Sequence, residues 1–339
     1  MKFKIIKKNK YEYKNKYKRI FKYIKLFSFE YKFIILFLLL TNIIFINNFV
    51  ESSDNNEIKI NQKYMIKNNT NESKKISKYI KNKAIEIKIK YYENFLTDIP
   101  NYFHTHIYSN NIYWCWLQGI NNAPDLYKAA FDSVKSKCTN HNIIIINKTN
   151  LFDYVKFPDY ILEKYQKNII DNTHFSDLLR LELLIRYGGT WIDASVLVTE
   201  YNEIFFKKDL FFFRTVNDTE IAGSNWFITS EKENPVLKTT RDLLYEYWRK
   251  ENYLCHYFIF HLLFNFAYNK YINDYLQMPN FSNIPVHYMQ KQLTYRFNIT
   301  LFTNILNEAS IHKLTQKFSK SKDSFYYYII NRYKIIDKH

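Results

Sequence analysis

Three side chains in one short stretch have types and positions suited to chemistry: Asp177, Arg180 and Asp193. Placed on a helix at about 100° per residue, Asp177 and Arg180 fall among Leu181, Leu184 and Tyr187. A carboxylate and a guanidinium on an apolar arc are costly unless they pair or line a cleft. In the plainer alternative Ser176 caps the helix, Asp177 favours its positive end, and Arg180 closes an i,i+3 pair. Glu182 and Arg186 share a narrow face, four residues apart, and are expected to pair in solvent. Asp193 closes the β-favouring run Thr190-Trp191-Ile192-Asp193. An acid at the carboxyl end of a strand in an open α/β sheet is a ligand-site candidate, and an ordinary turn aspartate is the alternative.

Positioning these groups requires a sharp turn and a sheet. Only four glycines occur in 339 residues, and two of them, Gly188 and Gly189, lie side by side between the helix and the strand. That pair marks a turn that other side chains would obstruct. Strand-like runs (Ile112 to Leu117, Asn142 to Asn147, Trp191 to Asp193, Phe211 to Val216, Trp226 to Thr229) alternate with helix-like ones (Pro124 to Lys137, Pro158 to Ile170, Asp177 to Tyr187, Pro235 to Lys250). Such alternation predicts a mostly parallel sheet with helices on its faces. Tyr253 to Tyr268 reads as a buried helix, too polar at His256, His261 and Asn265 to be a second membrane span, and Leu301 to Leu306 as a further core element. Cys115, Cys138 and Cys255 have no metal spacing and form no disulfide framework.

Ser176-Asp-Leu-Leu-Arg180 followed by Tyr187-Gly-Gly-Thr-Trp-Ile-Asp193 resembles the signature of the capsular polysaccharide synthesis proteins. That family is similar to the wider set of DXD-containing sugar transferases. Ile112-Tyr-Trp-Cys-Trp-Leu-Gln-Gly119 with Ala123-Pro124 looks like the family's opening strand and loop. Ser224-Asn-Trp-Phe-Ile228, His256-Tyr-Phe258 and Ile311-His-Lys-Leu-Thr315 resemble later segments, in the right order.

The resemblance implies a GT-A fold, a Rossmann-like α/β sheet binding a nucleotide-sugar and, usually, Mn²⁺ or Mg²⁺. By it, Asp193 ligates the metal or the donor, Asp177 bonds the sugar hydroxyls, and Arg180 holds sugar or phosphate oxygens through its fork of donors. It also implies donor-binding roles around Trp114, Trp116, Gly119, Gly188, Gly189, Ser195, Asn225 and Trp226, with one of the two opening-strand tryptophans stacking on the base. Lys313 becomes a phosphate clamp, and His312 a metal or diphosphate ligand. Two departures stand out. Ser195 replaces the second acid of DXD, which removes two-carboxylate chelation, and His256 stands where relatives often show an acid.

The remaining sequence predicts how the domain is carried. Residues 1–32 hold 12 Lys and Arg against Glu12 and Glu30, more than half of the net charge of +17. An uncharged run, 33–50, follows and is expected to be a transmembrane signal anchor, with a cleavable signal peptide as the competing reading. The basic flank then stays cytoplasmic, 51–94 form a stem, 95–318 the glycosyltransferase domain on the far side, and 319–339 a basic tail. Tail, anchor, stem and domain are the arrangement of a type II protein of the Golgi or endomembrane lumen, with the bacterial inner membrane as the alternative. The expected partners are a nucleotide-sugar donor and a glycan or glycoprotein acceptor. Nucleic acid is not expected, because the positive charge concentrates beside the anchor and no nucleic-acid motif appears. A non-catalytic relative that binds a nucleotide-sugar or glycan is the alternative to the enzyme.

Overall fold

The structure, a computed structural model, describes residues 78, 82, 85–86, 88–216, 218, 220–318 and 321–333. The anchor expected at 33–50 and the basic segment before it lie outside the described residues. Among those described, no helix is long and apolar enough to cross a membrane.

A five-stranded sheet organises the chain in the order β2-β1-β3-β6-β5. Its strands are β1 (Asn111–Cys115), β2 (Asn142–Ile146), β3 (Gly189–Asp193), β5 (Leu210–Arg214) and β6 (Gly223–Ser230). β2, β1 and β3 are parallel neighbours, while β6 is antiparallel to both β3 and β5, so β6 alone runs against the others. β4 (Val196–Val198) and β7 (Ile311–Lys313) form a separate antiparallel pair. The longer helices are α1 (Asp125–Lys137), α2 (Asp159–Gln166), α3 (Asn172–Tyr187), α4 (Pro235–Lys250), α5 (Ile259–Lys270), α6 (Ile299–Glu308) and α7 (Phe325–Tyr333). This is the expected α/β architecture with a mostly parallel sheet.

The strands are nearly continuous apolar runs because both faces of the sheet are covered. On one face Tyr113, Trp191, Phe212 and Ile228 pack with Leu178, Leu181 and Leu184 of α3 and with residues of α4 and α5. Toward the other, Ile112, Ile192, Phe211 and Phe227 pack with Val134 of α1 and Val196 of β4.

Several boundaries depart from expectation. Helix α3 begins five residues early: Asp171, not Ser176, caps it by accepting the His174 amide at 2.9 Å. Ser176 therefore sits inside the helix, donating to the Thr173 carbonyl. Nor do Glu182 and Arg186 turn to each other: Glu182 accepts from Tyr245, and Arg186 donates to the Tyr154 carbonyl. A helix neighbour is a weak partner compared with a fixed group on a packed element. Packing reaches beyond 95–318, since Tyr92 is buried in the main core. Part of the basic segment 319–339 forms helix α7, whose Phe325, Tyr326 and Ile329 are buried against Leu126, Leu197 and Met289. Its aromatic residues build a core that the basic composition concealed.

The double glycine ends α3 in the left-handed region, with φ of 67° at Gly188 and 103° at Gly189. A Cβ on Gly189 would stand 2.5 Å from the Asn111 carbonyl oxygen of β1, and one on Gly188 2.9 Å from the Lys232 amide. Both lie at the amino end of β3, the far end from Asp193, so they fix the strand's entry and are not donor contacts. Gly189→Ala is therefore expected to destabilise the fold by roughly 2–4 kcal/mol from strain and overpacking together. Urea unfolding of the purified chain checks this, and an unchanged midpoint would refute the account.

Candidate functional site

The carboxyl ends of β1 and β3 lie side by side, with Cys115 paired to Asp193. Around them opens a hollow of about 700 Å³. Its wall takes Cys115 to Gln118 from the end of β1 onward, Asp193 to Ser195 from the end of β3 onward, and Gly223 to Trp226 at the start of the reversed strand β6. Helix α3 contributes Asp177 and Arg180, α5 contributes His261, and β7 contributes Lys313. The site thus falls where an open α/β sheet places ligands.

Arg180 ties the charges together. One Nη lies 3.2 Å from Asp177 Oδ1 and 3.5 Å from Asp193 Oδ1, and the other donates to the Asn225 carbonyl at 2.5 Å. Its plane lies over the Trp191 ring, 5.0 Å from the centroid, which suits a weakly hydrated guanidinium. Asn225 Nδ2 donates to Asp177 Oδ1 at 2.8 Å, so the amide of β6 positions the helix carboxylate. Asp193 accepts from Trp191 Nε1 on one oxygen and from Lys313 Nζ on the other, both at 2.8 Å. Lys313 also donates to Ser195 Oγ at 2.5 Å.

The two carboxylates diverge in acidity. Burial alone would raise both. At Asp193, Lys313 and then Arg180 outweigh it and hold the group below the ordinary carboxylate range. At Asp177 burial prevails over Arg180 and His174, and the group is pushed up to about 6. Burial, with Arg180 nearby, lowers His261 to about 4, so its imidazole is neutral at physiological pH.

Asp177, Arg180, Asp193, Ser195, Asn225, Trp226, Lys313 and Trp116 all line this one hollow. Other expected residues lie elsewhere. Trp114 is fully buried and packs on Phe131, 4.7 Å between centroids, because the central residues of β1 face core on both sides. That leaves Trp116, just past the strand, as the tryptophan at the wall. Gly119 follows in the connecting loop, at a φ of 84°, outside the lining. His312 is buried with Nε2 against Thr199 Oγ1, and burial lowers it to about 4. In so short a strand its side chain points opposite to that of Lys313, so it does not reach the hollow. His256 is outside the lining too, its Nδ1 accepting from the Phe258 amide.

Sequence reasoning missed several wall residues: His174, Tyr257, His261, His287 and Tyr127. The one available signal was His261 itself, a polar group that interrupts a largely apolar helix. Its Nδ1 and the Trp116 Nε1 are buried without a hydrogen-bond partner. Such atoms in a cavity wall await a ligand or water.

The donor set does not suit a divalent cation. A divalent cation at a nucleotide site takes one or two carboxylates along with phosphate and water oxygens, and the two carboxylates that line the hollow, Asp177 and Asp193, are both engaged. Both already accept from nitrogen donors, and the ammonium of Lys313 stands between Asp193 and Ser195. Among the described residues, the group of three or more His, Cys, Asp or Glu side chains close enough to share an ion is His104, His106 and Asp209, which lies outside this lining.

A family model described as capsular polysaccharide synthesis protein matches residues 51–330. The chain belongs to that family, and the membership supports glycosyl transfer as its general chemistry. No curated protein matches it. Similar solved structures include one titled PaToxG Glycosyltransferase, 20% identical, with a TM-score of 0.35 over 59% of this chain and 80% of that one. A second, described as a transferase mutant, is 11% identical, with a TM-score of 0.31 over 64% of this chain and 97% of that one.

The opposed acidities give a signed pH dependence. Asp177, raised on folding, holds its proton longer in the folded state, so its contribution is full below about pH 4 and is lost as pH rises through about 6. Asp193, lowered on folding, contributes above the ordinary carboxylate range and loses that stability in stronger acid. Asp177→Asn should therefore remove a fall in stability on the order of 1–3 kcal/mol between about pH 4 and 6. Urea midpoints across that window test it; an unaltered slope would count against a buried, raised Asp177.

Proposed function

We propose that this chain is a glycosyltransferase that moves a sugar from a nucleotide-sugar donor to a hydroxyl of a glycan or glycoprotein acceptor. The observation that carries this reading is the meeting of Asp177, Arg180, Asp193 and Lys313 in one hollow at the carboxyl ends of parallel strands. Two acids with different acidities suit sugar hydroxyls, and two fixed cations suit a diphosphate. A hollow of about 700 Å³ has the capacity for a small nucleotide-linked ligand.

In transfer, the bond from the sugar's anomeric carbon to the β-phosphate oxygen breaks and the nucleoside diphosphate leaves with the electron pair. The acceptor hydroxyl oxygen forms the new bond and gives up its proton. Charge grows on the departing phosphate, and fixed donors aimed there lower the barrier. In this reading Lys313 and Arg180 supply them, Asp177 and Asn225 hold sugar hydroxyls, and the unpartnered Trp116 Nε1 and His261 Nδ1 become ligand contacts. Attachment to a membrane through 33–50, with the domain in an endomembrane lumen, completes the proposal and rests on the sequence of that segment.

Incubating the purified chain with a panel of UDP- and GDP-sugars, scoring transfer or donor hydrolysis, tests the reading. Turnover is expected with at least one donor, and Asp193→Ala should lower kcat/KM by at least about 100-fold while leaving the chain folded. Binding without turnover would favour a non-catalytic sugar-binding protein; neither binding nor turnover would end the proposal. His261→Phe should preserve or raise the melting temperature, since it removes an orphaned nitrogen, yet reduce kcat/KM by about tenfold or more. An unaffected kcat/KM in that variant would remove His261 from the site.

A further inference from the structure

We infer that the ammonium of Lys313 occupies the place a divalent cation would take between Asp193 and Ser195, so that this chain binds its donor diphosphate without a metal. The inference rests on the glycosyltransferase reading and deepens it. Lys313 Nζ donates to Asp193 Oδ2 at 2.8 Å and to Ser195 Oγ at 2.5 Å, the two side chains at the positions of the DXD acids.

That bridge is built by the backbone. β4 and β7 pair antiparallel with Val196 opposite Lys313, and the Leu314 amide donates to the Ser195 carbonyl at 2.8 Å. The strand pair therefore delivers the lysine directly beside the serine. Its side chain is 20% exposed and lies over the Trp226 ring, which limits its freedom to swing away.

An ammonium has three donors. Asp193 and Ser195 accept two, which leaves one N–H for a phosphate oxygen of a ligand in the hollow. The substitution of the second acid acquires a reason in this arrangement. With a hydroxyl in place of an acid at 195, the Lys313 ammonium meets one carboxylate there instead of two, which leaves more of its charge for a ligand phosphate. A divalent ion entering here would meet the ammonium at contact distance and find Asp193 Oδ1 already bonded to Trp191 Nε1. Arg180, 3.5 Å from the other Asp193 oxygen, supplies a second positive charge.

Calorimetric titration of the full chain with UDP and with GDP, in EDTA and in Mn²⁺, tests the inference. At least one nucleotide should bind with a Kd that changes less than about threefold between the two buffers. Lys313→Gln should weaken that binding by about 30-fold or more, with Lys313→Arg retaining part of it, and melting curves report whether each variant is folded. Electron paramagnetic resonance of Mn²⁺ should show no ion immobilised by the protein with the nucleotide bound. Binding that requires Mn²⁺, or that survives Lys313→Gln unchanged, overturns the inference and leaves the glycosyltransferase reading standing. No binding of either nucleotide in either buffer overturns both. The wild-type buffer comparison decides the matter even where a variant fails to fold.

Discussion

The ion pair between Asp193 and Lys313 is the contact on which the site's organisation depends. Asp193 stands at the tip of β3, and burial by itself would raise its pKa. Lys313 and Arg180 keep it charged, and it keeps both of them in place: one carboxylate joins the sheet, helix α3 and the β4–β7 pair. A buried charge network of this kind is a poor source of stability, because desolvation offsets much of the attraction. Its retention makes sense as preorganisation of charge toward a ligand. The same logic separates the two acids, one held ionised by two cations and the other pushed toward protonation.

The fold was largely legible because its signals are local and repetitive. Apolar runs of strand length alternating with amphipathic helices announced the layers, and the lone Gly188-Gly189 pair marked the turn where a side chain would strike the Asn111 carbonyl. Helix α4 begins where Pro235 at its first position predicts. Legibility failed where three-dimensional competition decides. Ser176 satisfies the sequence rule for a cap, but Asp171 accepts the His174 amide and adds a turn. The basic C-terminal segment supplies a core helix because its aromatic residues outweigh its charge once α1 offers an apolar face.

The candidate site divides along the same line. Asp177, Arg180 and Asp193 stood out because charge on an apolar arc or at a strand tip demands a reason. Trp114 and Trp116 were indistinguishable by alternation, and only the end of β1 at Cys115 separates a core indole from one at the wall. His312 and Lys313 arrive in one motif, yet the pleat of β7 sends them to opposite faces, which a motif match does not reveal. His261 carried a signal, a polar atom in an apolar helix, that reads equally as an interruption until the missing hydrogen bond is visible.

The small β4–β7 sheet has a consequence for how the protein is made. Its two strands lie more than a hundred residues apart, and β7 leaves the ribosome only after the entire central sheet has been synthesised. A nascent chain can therefore assemble every wall of the hollow except the one bearing the lysine. The strand bearing the lysine docks after them, and α7, made later still, packs on α1 beside it, so the charge arrangement becomes whole only once β7 has joined β4.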